Sequence, residues 1–449
     1  MFRSLFGGGS SVEKKKRDER NVPEIEDDQP RNRFNEIQIL NGHTDVIHSI
    51  IKIDENRVLS TSHDKKGIVW DCETGDILCE LVGHTRAISS AILIENYLDE
   101  QKSFCDVIVT ASSDQTIRVW ELTNGQCRKV IKEHQSTVKR FSVVLFEPML
   151  ILTAGQDICL WSHSFQLLSK FQRNSLDYVH TFINAKTDRI VTATDQPHLI
   201  VYDIKNESDG SSHEEYVIKE FKRLPRHRES ITSLVLISDA MFASASMDGA
   251  IIVWTTHRLE PTRKFNHYET FMNTLDHTYP YAVQHIMIAD QRYIFAAIGT
   301  GFAVYDPMLD KCVAKILNAH HSQVTSMVLL DNGTYLATSS LDGTIRLWAS
   351  PLPKTPEELA KAQQAVTPMS KLVGRRIQDC RVFPIKLELV GMCLAHSSSV
   401  QSVIKCGKEG FISCGNDGMV ILWKDSELSR RRRDEEFRKV LSKLGWLDH

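Results

Sequence analysis

The sequence predicts an all-β fold assembled from eight copies of one hairpin-based unit. Three observations carry that reading. The stretch Leu336–Trp348, LATSSLDGTIRLW, reads as a strand, a tight Asp342-Gly343 turn and a second strand. An Asp-Gly pair between alternating apolar residues is a strong hairpin signal, because Gly accepts the positive φ that such turns need. The pattern then recurs at fixed spacing: His43 to Trp70, His134 to Trp161, His227 to Trp254 and His396 to Trp423 each span 27 positions. Finally, six of the seven Trp residues close such a unit, and in five units an Asp lies six residues before the Trp.

A chain of 449 residues calls for several domains or one repeat architecture. With 42% hydrophobic and 25% charged residues, its composition is that of a soluble globular protein. The formal net charge of -3 gives no whole-chain reason to expect nucleic acid or an acidic membrane as partner. No apolar run approaches the roughly 20 residues of a membrane span, and MFRSLFGGGSS lacks the features of a secretory signal. The ten Cys show no CxxC or zinc-finger spacing and mostly sit in apolar strand-like runs, as buried hydrophobes in a reducing compartment. The expectation is a soluble, intracellular protein.

Residues 1–33 read as disordered: a Gly/Ser run, EKKKRDER, then an acidic stretch at Glu24–Asp28. Low hydrophobicity with clustered charge does not offset the entropy of ordering. From Phe34 the units begin. The strand Glu36–Leu40 precedes Gly42-His43, then come Ser60–Asp64 and Gly67–Asp71. The second unit has Gly83-His84, Asp114 and Trp120; the third has His134, Asp157 and Trp161; the fifth has His227, Asp248 and Trp254. Leu336–Trp348 belongs to the seventh and His396–Trp423 to the eighth. Weaker fourth and sixth units put Tyr202-Asp203 and Tyr305-Asp306 where the others put Trp, and the sixth lacks the turn aspartate.

These residues resemble the WD-repeat family, with Gly-His near the start of a unit and Trp-Asp near its end. The resemblance covers residues 34–424 and implies four antiparallel strands per unit, closed as an eight-bladed β-propeller. It also implies a hydrogen-bonded chain through His, a strand Ser/Thr, the turn Asp and the Trp indole. In the seventh unit that chain is His320, Thr338, Asp342 and Trp348; in the eighth it is His396, Ser413, Asp417 and Trp423. Histidines with a scaffold duty leave no metal or catalytic set. The eighth unit ends at Trp423 with no strand after it, so Glu36–Leu40 is expected to complete the last blade and close the ring, removing sheet edges.

Departures from the repeat are where function is expected. Glu95–Phe104 lengthens the second unit by nine residues and reads as a surface loop. Asn206–His213 reads as another polar loop. Trp348 to Trp423 spans 75 residues, and the excess falls at about 349–385, before an outer strand near Lys386–Leu389. Loops this long in compact domains are either functional, here as a partner contact, or disordered insertions. After Trp423, residues 425–449 read as a helix capped by Ser426, with Phe437, Val440, Leu441 and Leu444 on one stripe. Packed on its own propeller or offered to a partner groove, such a helix has the same pattern. Asp434–Glu436 oppose a nucleic-acid reading of Arg430–Arg433.

Met1–Gly9, Gln135–Lys139, His396–Val400, Ile421–Lys424 and the position of the long loop are similar to one branch of that family. Its members are eight-bladed, non-catalytic adaptors in a lysosome-associated complex with two DENN-domain proteins. The resemblance implies that the N-terminal strand and the C-terminal helix, through Phe437, Val440, Leu441 and Leu444, hold one subunit of the DENN-domain heterodimer, an assembly that promotes GTP hydrolysis on small GTPases. It also implies that the blade-seven loop docks into a lysosomal cationic amino-acid transporter, here through Met369, Leu372, Val373, Gly374, Arg375 and Arg376. The loop offers Leu372-Val373 where that branch carries aromatic residues. The implied location is cytoplasmic, with recruitment to the lysosomal membrane, and no cofactor is called for. No GxSxG, P-loop or HExxH motif supports an enzyme. The alternative is a generic peptide-binding propeller, such as a ubiquitin-ligase substrate receptor.

Overall fold

Each repeat folds as a four-stranded antiparallel sheet, and eight such sheets form the molecule. The computed structural model describes residues 22–23, 32–98, 104–146, 149–173, 177–186, 188–207, 216–265, 281–330, 333–349, 387–407 and 410–443. Blade one comprises Ile47–Lys52, Arg57–Ser62, Gly67–Asp71 and Ile77–Leu81, ordered from the inside outwards. Blade seven comprises Val324–Leu330, Tyr335–Ser340, Ile345–Ala349 and Glu388–Cys393. Its outer strand thus begins two residues beyond Lys386, where the sequence pattern had placed it.

The middle strands lack the polar alternation of a one-sided sheet, because each blade is sandwiched between two others. Arg57–Ser62 is buried from Val58 onward. Val58 and Trp70 pack in the cluster shared with blade eight, while Leu59 and Val69 pack in the cluster shared with blade two. Outer strands regain alternation, as in Ile77–Leu81, where Cys79 and Leu81 are buried and their neighbours are exposed.

Blade eight is built from both ends of the propeller sequence. Val400–Cys406, Gly410–Gly415 and Val420–Lys424 supply three strands, and Glu36–Leu40 supplies the outermost. The pairing runs antiparallel from Glu36 opposite Lys424 to Leu40 opposite Val420. Innermost strands touch their neighbours all the way round, and that of blade eight touches that of blade one. Hydroxyls stitch some of these seams. Thr325 Oγ1 donates to the Val400 carbonyl at 2.7 Å, Thr232 Oγ1 to Val283 at 2.5 Å, and Ser89 Oγ to Val138.

Two elements differ from their sequence readings. The Asp342-Gly343 turn is a three-residue loop: Gly343 N–H donates to the Ser340 carbonyl, and only Gly343 takes a positive φ, +81°. Lys65 and Gln115 hold the equivalent left-handed position in blades one and two without the freedom of glycine. Glu95–Leu98 and Phe104 extend the strands Ile88–Leu98 and Phe104–Ser112 where a loop was expected. Tyr97 on this extension is buried and stacks on His163 of blade three, with centroids 5.3 Å apart. Of the cysteines, Cys159, Cys393 and Cys414 are buried as small hydrophobes, while Cys127 and Cys312 are exposed.

Candidate functional site

Six blades carry a hydrogen-bonded chain that ties the top of the blade to its core. In blade eight, Trp423 Nε1 donates to Ser413 Oγ at 2.8 Å, and Ser413 Oγ lies 2.8 Å from His396 Nε2. His396 Nδ1 lies 2.9 Å from Asp417 Oδ2, which also accepts from the Ser397 N–H. One hydroxyl hydrogen serves Nε2, so the imidazole proton sits on Nδ1 and points at the carboxylate. In blade seven, Trp348 Nε1 donates to Thr338 Oγ1 at 2.9 Å, with His320 Nε2 2.7 Å away. There Thr344 Oγ1 comes within 2.9 Å of His320 Nδ1 and donates to Asp342 Oδ1 at 2.6 Å. His320 and Asp342 stand 3.4 Å apart, so the threonine carries much of the link. In blade three, Asp157 pairs with Lys170 at 3.2 Å, and His134 keeps only its Thr153 and Trp161 side of the chain.

Burial sets the protonation of these groups. It pushes His43, His84, His320 and His396 below the ordinary imidazole range, although the partner carboxylate pulls the other way. His134, with Lys170 nearby, is pushed down to about 4. Burial would raise Asp114, but hydrogen bonds from Thr116, Thr85 and His84 hold it at about 2. Asp248 is likewise held at about 2 by His227, Arg228 and Ala250. A neutral histidine locked between a hydroxyl and a carboxylate is a strut, with no free lone pair for a metal or substrate.

The irregular parts of the sequence meet elsewhere, at one end of blades seven and eight. Every third strand runs away from its Asp turn, so Ala349, at the root of the long loop, and Asp425, at the start of the helix, lie at the same end of adjacent blades. Glu36 joins them by pairing with Lys424. Tyr335, opposite Ala349 in the sheet, touches the Phe34 ring edge-on at 6.0 Å and accepts from Arg33 Nη1 at 3.5 Å. Arg33 in turn pairs with Asp425 at 2.7 Å, and the Asp425 side chain is buried. The Arg33 carbonyl accepts from Ser426 N–H at 3.0 Å. Asn32 Nδ2 reaches the Met392 carbonyl at 3.3 Å on the outer strand of blade seven.

The helix Ser426–Lys443 begins in this cluster. Asp425 is its cap, accepting from the N–H groups of Glu427 and Leu428 at 3.0 and 3.2 Å. Ser426, the residue read as cap, is already the first helical residue. A carboxylate at this place also complements the helix dipole. Ser429 is buried against the propeller, whereas Arg430, Arg431, Arg433 and Asp434 are exposed, so the contact with the blades is concentrated in the first turn among the described side chains. Arg433 returns to Glu36 at 3.3 Å. Phe437, Val440 and Leu441 lie on this helix at helical spacing. Leu444 and the loop residues Met369, Leu372, Val373, Gly374, Arg375 and Arg376 lie outside the described residues.

Beside the helix, Ile37 and Ile39 are 45% and 47% exposed on the outer strand of blade eight. They sit opposite Trp423 and Ile421, so they lie on the blade-seven face of the strand. Asn32, Arg33, Tyr335 and Asp425 had no signal in the sequence beyond standing next to a predicted boundary.

A family model for the WDR41 β-propeller matches residues 1–433. The chain belongs to the WDR41 β-propeller family. WD repeat-containing protein 41 of Homo sapiens is 28% identical over 450 residues, covering 95% of each chain, and that of Mus musculus is 28% identical over the same length. Pre-mRNA-processing factor 19 of Mus musculus is 32% identical over 90 residues, which is 20% of this chain. Among solved structures, the computationally designed Ika8 protein superposes with a TM-score of 0.62 at 18% identity, over 86% of this chain and 98% of that one, a likeness of fold alone.

WDR41-family membership fits the eight-bladed propeller. WD-repeat propellers are generally non-catalytic protein-interaction domains, and this chain is a protein-interaction scaffold of that kind. Among the described residues no helix is long and apolar enough to cross a membrane.

Proposed function

We propose that this chain is a non-catalytic adaptor that holds a DENN-domain heterodimer regulating small GTPases and brings it to the lysosome through a cationic amino-acid transporter. The observation that carries the reading is the convergence at blades seven and eight. The N-terminal strand, the start of the helix and the root of the long loop share one end of two neighbouring blades. A partner gripping the exposed Ile37 and Ile39 together with the helix stripe would sit near Ala349, where the long loop departs. The apolar helix positions Phe437, Val440, Leu441 and Leu444 form the partner groove contact, and Gly374-Arg375-Arg376 present cationic side chains to the transporter. Arginine in such a loop mimics the carrier's own cationic substrates.

Purification of the tagged chain from cells should bring down a DENN-domain pair; recovery of cullin adaptors or histones in its place overturns the reading. Leu441→Asp should release the DENN-domain pair, and undiminished co-purification counts against the helix. Excision of residues 366–380 should abolish lysosomal recruitment while leaving the pair bound. Normal recruitment of that variant sinks the transporter role.

A further inference from the structure

The mouth of the central channel carries a chemistry that the repeat itself does not require. At the head of each innermost strand, or just before it, stands a fully buried aliphatic residue, such as Ile47 in blade one, Val138 in blade three and Val283 in blade six. The two residues that follow it line the channel mouth. Over eight blades those sixteen positions hold nine Ser or Thr, two Gln, three His, Lys139 and Arg140, with no Asp or Glu. A concave site lined by one sign of charge focuses the field of that charge.

The positive groups are held in place. Arg140 Nε donates to the His180 carbonyl of blade four at 3.0 Å, which fixes one edge of the guanidinium. Lys139 Nζ stands over the Tyr178 ring, 5.7 Å from its centroid. Both residues are exposed, and among the described residues neither pairs with a carboxylate. His285 occupies in blade six the register that Arg140 occupies in blade three, across the channel. Burial and the Arg140 charge both lower its pKa, and its buried Nδ1 has no hydrogen-bond partner. Asp195 faces His180 at 3.4 Å, and Asp45 Oδ1 accepts from the Val46 N–H at 2.7 Å.

We infer that the channel mouth binds a small soluble anion bearing several phosphate groups. Lys139 and Arg140 supply the positive charge, and the Thr181 hydroxyl of the adjoining blade donates a hydrogen bond. Two cations without counter-ions in a collar of hydroxyls match phosphate oxygens, which accept from guanidinium and hydroxyl groups together. The site lies inside the ring, apart from the blade-seven and blade-eight junction, so it stands or falls independently of the adaptor reading.

The test is calorimetric titration of the full chain with inositol hexakisphosphate and with inorganic phosphate, at low and at physiological salt. The hexakisphosphate should bind more tightly than phosphate, and the affinity should fall as salt rises. The Lys139→Gln, Arg140→Gln double variant should lose at least tenfold in affinity with an unchanged melting temperature, and Arg140→Lys should recover part of that loss. His285→Asp, which places a carboxylate across from Arg140, should also abolish binding. Absence of binding by the folded wild-type chain, or equal binding by the double variant, overturns the proposal.

Discussion

At the scale of single residues, one hydroxyl oxygen does the most for each blade. Thr338 Oγ1 accepts from the Trp348 indole, bonds His320 Nε2 and lies fully buried. Thr338→Val keeps the shape and removes the oxygen, leaving an indole N–H and an imidazole nitrogen unpaired in the core. Each stranded group costs about 1–3 kcal/mol, so urea unfolding of Thr338→Val should show a loss of about 2–5 kcal/mol. Ser340→Ala, in the same strand, removes a hydroxyl that accepts only from the Asp342 N–H and should cost about 1 kcal/mol. The sequence pointed to these chains because their recurring members match the WD-repeat pattern, and that resemblance implies the bonds. It did not reveal Thr344, which intervenes between His320 and Asp342, because the decisive variable is a side-chain rotamer.

Among the elements, the outer strand of blade eight bears the greatest responsibility. Glu36–Leu40 was legible as a closing strand because Trp423 has no strand after it, and the register Ile37 to Trp423 follows from alternation. The clasp preceding it was not legible. Asn32 and Arg33 are polar residues in a charged stretch, and their order depends on partners at Met392 and Asp425, hundreds of positions away. Composition sees neighbours in sequence only. Deletion of residues 34–40 removes Phe34 from the core shared by blades seven and eight, and Leu40 from that shared with blade one. It also exposes the edge of Val420–Lys424. Thermal unfolding of this variant should shift downward by well over 5 °C; an unchanged transition would show that the ring closes without the strand.

For the whole molecule, the ring couples its blades and therefore its titrations. His43, His84, His134, His320 and His396 are all neutral-favouring in the fold, so the unfolded chain binds protons first as pH falls. Stability is full above about pH 6.5, where the imidazoles are neutral in both states, and declines as pH falls toward about 4, the value for His134. Asp114 and Asp248, held at about 2, extend the decline from the ordinary carboxylate value downward. Urea midpoints measured from pH 7.5 to 4 should fall monotonically, and the His134→Gln variant should show a shallower fall. The blade count and class were visible in the sequence because the repeat states them eight times. The channel mouth was not, since its members are scattered as adjacent pairs in eight segments and acquire a common meaning only once the strands stand in a circle.

The pairing of Glu36–Leu40 with Val420–Lys424 has a consequence in time. During synthesis the first strand emerges early, and its partner emerges 380 or more residues later. At roughly 5–20 residues per second the wait is roughly 20–80 seconds. Through that interval Ile37, Ile39 and Leu40 have no sheet to join, and seven blades stand with an open seam. The nascent protein therefore depends on whatever shelters that strand, and the last event of its manufacture is the meeting of its earliest strand with its latest.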